Sequence, residues 1–202
     1  GNDACYSIIL DANNDVIVAG GTSSNDLNVT AGVNYASYQG GSTDGFIAEL
    51  SNDGSIMNTM SYFGTHAYDQ VYFVRLDNAE NIYVYGQSAS LDSSLIKNAK
   101  YYSVKSGMFI SKLTNDLSNV IWSTTFGSGD SVINLSPTAF AVDICNNIYL
   151  SGWGSSSEGF ERIPNYILDP TGKTGHHGGR GTSGMEITDS AYQKISNGND
   201  FY

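Results

Sequence analysis

Basic residues are scarce in this chain: nine lysines and arginines stand against twenty aspartates and glutamates, a formal charge of -11 at neutral pH. Such a surface repels phosphate backbones and anionic lipid over a Debye length, which excludes nucleic-acid binding and polybasic membrane attachment as functions. Proline occurs three times in 202 residues and cysteine twice. Cys5 and Cys145 form one bridge or none, and their spacing fits no metal or redox motif. No apolar run approaches the roughly 18 residues of a membrane-spanning helix, so no membrane insertion is expected. The chain opens at Gly1 with no basic and apolar leader, which reads as a mature or excised segment.

What the chain does have is 40% hydrophobic residues, 14 tyrosines and 23 glycines, with only 14% charged residues. That composition fills a core and suits many short strands joined by tight turns.

A repeat organises these strands. Leu10 to Gly20 recurs as Leu76 to Gly86 and again as Val142 to Gly152, so that Asp11, Asp77 and Asp143 are 66 positions apart in both steps. A second element, Asp44 to Leu50, returns as Gly107 to Leu113, 63 positions later. A third, Met57 to Gly64, returns as Val120 to Gly127. The aspartates are expected to fold back on their own backbone as Asx-turns, and the residues after them to take left-handed φ in a hairpin. Val16 to Ala19, Ile82 to Tyr85 and Ile148 to Leu150 are apolar on both sides of the pleat and so need cover above and below.

A small antiparallel sheet covered on both faces by copies of itself is a propeller blade. The expected fold is therefore all-β, a β-propeller of four-stranded antiparallel blades. About two and a half blades are present, a partial ring, since closed rings need roughly four to eight. The units are 1–64, 65–127 and an incomplete 128–202, the last with a Gly-rich insertion near 154–184. The stretches Gly21 to Thr43, Gln87 to Gly107 and Trp153 to Asn199 are long for loops and are expected to carry function. Short helical turns are expected at Val29 to Val33 and at Ile187 to Tyr192.

The pattern Asp-x-x-x-Asn-Ile-Tyr-Val-x-Gly, followed by Asp-Gly-Phe-Ile-Ala-x-Leu and Tyr-Phe-Gly, resembles the β-propeller repeats called SBBP. It is also similar to repeat regions of large surface proteins of Bacteroidetes, many associated with gliding motility. Asn147 to Gly154, Gly181 to Thr188, Asp189 to Gln193 and Asn199 to Tyr202 extend the likeness through the third unit. The resemblance implies export by the type IX secretion machinery and a place outside the cell, secreted or on the outer surface. About two and a half units cannot close a ring, so flanking blades of the same polypeptide, or else partners, are expected to complete it, and the ligand expected is a protein or polysaccharide. The resemblance carries no catalytic residues over.

Candidate chemistry is thin by comparison. Asp11, Asn13 and Asp15 offer oxygens at alternate positions like the start of a calcium loop, but Val16 stands where that loop needs glycine and Thr22 where it needs an acid. A plain hairpin turn is the competing reading, and calcium is the one cofactor in view. His176, His177 and Arg180 lie in a Gly-rich tract and are candidates for ligand or partner contact. Trp153, with Tyr35, Tyr38, Tyr101, Tyr102 and Tyr192, offers aromatic faces for a sugar-binding rim, or else packing. Gly-x-Ser-x-Gly is absent, and Glu158, Glu161, Asp169 and Glu186 are the carboxylates left for a hydrolase. Residues found in every unit are more simply explained by folding the unit, so the expected function is a non-catalytic scaffold rather than an enzyme, and the resemblance implies an adhesive or gliding-related setting for it. A carbohydrate-binding module and a secreted hydrolase are the alternatives.

Overall fold

Each copy of the Asp-to-Gly motif folds as the turn and second strand of a hairpin. The computed structural model describes residues 1–154, 182, 184–192 and a short strand at Asp200–Phe201. Three antiparallel sheets form from it. The first sheet runs in the order β1 (Asp3–Leu10), β2 (Val16–Thr22), β3 (Asp44–Leu50) and β4 (Met57–Phe63). The second repeats that order with β5 (Asp69–Leu76), β6 (Ile82–Ser88), β7 (Met108–Leu113) and β8 (Val120–Phe126). The third pairs β9 (Ser136–Val142), β10 (Ile148–Gly154) and β11 (Asp200–Phe201), with β10 in the middle.

The hairpin turns obey the local chemistry of their residues. Asp11 Oδ1 accepts from the amides of Asn13 and Asp15, Asp77 Oδ1 from those of Ala79 and Asn81, and Asp143 Oδ1 from those of Cys145 and Asn147. The residue between those donors is left-handed in every copy: Asn14 at φ 65°, Glu80 at 59° and Asn146 at 63°. The Asx-turn satisfies amides that the reversing chain would otherwise leave unpaired. The three turns also touch: Ala12 N donates to Glu80 at 2.7 Å, and Asn78 Nδ2 to Ile144 O at 3.2 Å.

The irregularities repeat as well. A bulge interrupts β1 between Cys5 and Ser7 and β5 between Val71 and Phe73, leaving Tyr6 and Tyr72 as the extra residues, 66 apart. Each bulge drives a backbone carbonyl over the glycine of the second strand. A Cβ on Gly20 would meet Ala4 O at 1.9 Å and the Phe46 ring at 2.8 Å, and one on Gly86 would meet Gln70 O at 2.0 Å and the Phe109 ring at 2.6 Å. The glycine of the motif is thus fixed by close approach rather than by φ.

Face-to-face stacking of the sheets builds the core. Ile17, Ala19, Ile47 and Phe63 of the first sheet meet Val71, Val74, Val84 and Phe109 of the second. On the second sheet's other face, Tyr83, Tyr85, Met108 and Ile110 meet Leu135 and Phe140 at the third. Ring contacts cross both interfaces, Phe63 to Phe109 at 5.2 Å and Tyr85 to Phe140 at 5.5 Å. Each large side chain so enclosed contributes roughly 1.5–3 kcal/mol. The first strands approach one another: Tyr6 stacks on Tyr72 at 4.9 Å, and Ser7 Oγ accepts from Val74 N at 3.1 Å.

Two expectations need correction. No α-helix forms among the described residues; Val29 to Val33 and Ile187 to Tyr192 hold single turns at 31–32 and 189–190 between irregular chain. The stretch after β2 instead runs along the free edge of β4, where Thr30 N donates to Met60 O and Tyr62 N donates to Tyr35 O. The stretch after β6 does the same for β8, pairing Lys97 with Ser123 and Ser103 N with Thr125 O. An edge strand with bare amides invites pairing with another chain, and these segments close it. The Gly-rich insertion near 154–184 falls almost wholly outside the described residues.

Candidate functional site

The hairpin end of the stack carries the acidic residues singled out in the sequence. Asp11 and Asp15 are joined there by Glu49, because β2 and β3 pair Ile17 with Glu49, and the three carboxylates lie within 4.8 Å of one another. Asn13 does not turn an oxygen toward them. Its Nδ2 donates to Asp11 Oδ2 at 3.3 Å, which makes it a partner of the turn and not a third ligand. Asp15 is engaged by Asn52 N and Asn58 Nδ2, and Asn58 also donates to Glu49. Burial pushes the Glu49 carboxyl up, Asn58 opposes, and the charges of Asp11, Asp15 and Glu80 push it further.

The second unit solves the same corner differently. Lys112 stands 63 positions after Glu49, and its ammonium lies 2.7 Å from Asp77 Oδ2 and 4.9 Å from the centre of the Tyr83 ring. Burial works against the Asp77 charge, but Lys112 and Asn81 outweigh it and hold the carboxyl below its ordinary value.

At the β3–β4 turn, Asp53 Oδ1 accepts from Ser51 Oγ, Ser55 N and Ser55 Oγ, led by Ser55 in holding this carboxyl down at about 2. Asp116 does the same work 63 residues on with Thr114 and Ser118. Both are turn-builders.

The proposed aromatic rim divides. Tyr35 packs edge-on against Phe63 at 5.2 Å and Tyr38 against Tyr62 at 5.8 Å, so these two belong to the cover over β4. Trp153 is half-buried on β10. Tyr101, Tyr102 and Tyr192 are exposed, Tyr101 to 88%. Of the remaining candidates, His176, His177 and Arg180 lie outside the described residues, as do Glu158, Glu161 and Asp169. Glu186 is exposed.

Sequence reasoning missed one concavity. At the loop end of the second sheet a cleft of about 310 Å³ is lined by Ser88, Ser90, Lys105, Ser106, Ser131 and their neighbours. Its volume is at the lower end of what small-molecule sites use. The hydroxyls are scattered over three chain segments, and no spacing in the sequence joins them. Among the described residues, no helix is long and apolar enough to cross a membrane. Compared with known proteins, the chain matches no family model and no curated sequence.

Proposed function

We propose that the chain is a segment of a β-propeller, its sheets successive blades, working as a non-catalytic scaffold that presents a binding or adhesive surface outside the cell. One observation carries the propeller reading. Val74 and Ile8 occupy the same position in successive units, yet Val74 is 0% exposed and Ile8 65%. The difference is the neighbouring sheet, which covers Val74 and is missing over Ile8. Flanking blades of the same polypeptide are the partners that would cover that face. The scaffold reading rests on the recurring polar residues, which are spent on turns in every unit. Secretion through the type IX machinery and a gliding-related role rest on the sequence resemblance alone.

A second reading, carbohydrate binding, is favoured by the exposed Tyr101 and Tyr102, since aromatic faces stack on apolar sugar faces. A glycan array with the wild-type chain and Tyr101→Ala separates the two. Binding lost in the variant supports the second, and no binding leaves the scaffold. Turnover of generic glycosidase or esterase substrates, abolished by Glu186→Gln, overturns the non-catalytic reading. Fractionation of the producing cells with an antibody to this chain tests the address, and retention in the cytoplasm overturns it.

A further inference from the structure

Two aspartates meet at the junction between the first and second sheets. Asp44 opens β3, Asp69 opens β5, and both are 0% exposed. A Cβ placed on Gly64 would stand 3.0 Å from Asp44 Oδ1 and 3.0 Å from Asp69 Oδ2, which puts the carboxylates within about 6 Å of each other. Half of each group is satisfied. Asp44 Oδ2 accepts from the Gln39 amide, and Asp69 Oδ2 accepts from Thr65 N at 2.6 Å and Thr65 Oγ1 at 2.7 Å. The other oxygens, Asp44 Oδ1 and Asp69 Oδ1, are buried and make no well-formed hydrogen bond, although the Gly40 amide approaches Asp44 and the Ser88 hydroxyl approaches Asp69. Two ionised carboxylates so placed lose their hydration and repel each other.

The ionisable groups facing the pair are Tyr35 and Tyr38 from the stretch after β2, Tyr62 from β4, and His66 and Tyr68 from the loop after β4. β6 contributes the Ser88 hydroxyl. Burial pushes the phenols of Tyr35 and Tyr38 up to about 12, so they are neutral, and His66 lies 3.4 Å from Asp92, its own carboxylate. None of these groups is a lysine or arginine.

The next junction shows the neutral version. Gly107 stands 63 positions after Asp44, and Asn134 takes the place of Asp69, its Oδ1 accepting from Ser128 N at 2.9 Å and Ser128 Oγ at 3.3 Å. The same pair of donors is met by an uncharged side chain.

We propose that Asp44 and Asp69 hold one proton between them, as a carboxyl–carboxylate pair, and that this proton latches the second sheet to the first, so that the junction tightens in acid and loosens as pH rises. Burial pushes Asp44 up to about 7, the Gln39 amide opposing and the Asp69 charge adding, and burial pushes Asp69 up to about 6. Folded values above the unfolded one mean that the folded chain holds more protons, so the stabilisation is present in acid and is lost as pH rises through about 6 to 7. The proton belongs to the pair and not to either residue.

The experiment is chemical denaturation of the whole chain from pH 4.5 to 8, with Asp69→Asn beside the wild type. The wild-type unfolding constant is expected to rise with pH from 4.5, by about tenfold per pH unit for each proton the folded pair retains, and to level off above about pH 7. Asp69→Asn, which keeps the Thr65 bonds as Asn134 keeps those of Ser128, is expected to show a shallower slope, since Asp44 stays buried and loses only the Asp69 charge, and to be the more stable chain at pH 8. An equal slope in both chains overturns the proposal. So does a rise in wild-type stability at pH 8 on adding calcium or magnesium that Asp69→Asn does not share, since the pair would then hold a metal ion. Carbon-detected NMR titration of the wild-type carboxyls covers the case in which the variant does not fold, and ionisation of both groups below pH 4.5 overturns it equally.

Discussion

Lys112 Nζ sits 2.7 Å from Asp77 Oδ2, at the place where the preceding unit sets Glu49 beside Asp11 and Asp15. One corner of the repeat is therefore neutralised by a tethered cation and its twin is not. Glu49→Lys is expected to stabilise the chain by about 0.5–1 kcal/mol, the range for a partly exposed pair. The gain should shrink in 1 M salt, where the Debye length falls to roughly 3 Å. Urea melts at low and high salt check both parts, and a destabilised variant would show that the three carboxylates do not repel.

The motif glycine makes a sharper case. Gly86→Ala places a methyl group 2.0 Å from the Gln70 carbonyl oxygen, a backbone atom that cannot swing aside. Overpacking of this kind costs about 3 kcal/mol. Gly54 is the control, because nothing lies within 4 Å of its Cβ position and its φ of 71° is matched by Leu117 at 57° in the second unit. Gly54→Asn is expected to stay within about 1 kcal/mol, since asparagine visits the left-handed region readily. Equal losses in the two variants would remove the close-approach argument.

The bare face of the first sheet gives the third expectation. Ile8 and Leu10 are exposed there, beside half-buried Val16, Val18 and Phe46, whose counterparts Ile82, Val84 and Phe109 are buried. Ile8→Lys should leave stability within about 0.5 kcal/mol, as for an ordinary surface change, while reducing self-association of the isolated chain. Val74→Ala should cost roughly 1.5–3 kcal/mol. Sedimentation and thermal melts read the two effects separately. A wild-type chain that is monomeric at high concentration would mean that this face needs no cover.

Strands and hairpin turns were legible because each rests on a short stretch of sequence: an aspartate, a residue that accepts left-handed φ, then an apolar run closed by glycine, repeated at 66. The register of β2 against β3 was not, and it is the register that adds Glu49 to Asp11 and Asp15, while the Asn13 side-chain amide turns its Nδ2 to Asp11. Asp44 and Asp69 were invisible for the same reason, since 25 positions and two different sheets separate residues that share one junction. That the long stretches cover sheet edges was not legible because edge-covering chain has no period: Thr30 and Tyr35 bond β4 through single backbone contacts. Tyr35 and Tyr38 consequently looked like rim aromatics while packing on Phe63 and Tyr62.

Tyr85 isolates what one buried hydroxyl costs. Its ring lies between Phe73 at 6.1 Å, Phe126 at 6.1 Å and Phe140 at 5.5 Å, filling the interface of the second and third sheets. Its hydroxyl oxygen is buried there with no hydrogen-bond partner, and burial pushes its ionisation far above the ordinary phenol value. The ring stabilises the interface, whereas the hydroxyl has exchanged water for nothing, a loss of about 1–3 kcal/mol. Tyr85→Phe keeps the ring and removes the loss, so the variant is expected to be more stable by about 1 kcal/mol after allowing for the small void left behind. A urea midpoint that moves upward at unchanged slope is the expected reading. A variant less stable than the wild type would mean that the hydroxyl is paired in solution and that the packing around Tyr85 differs from the one described.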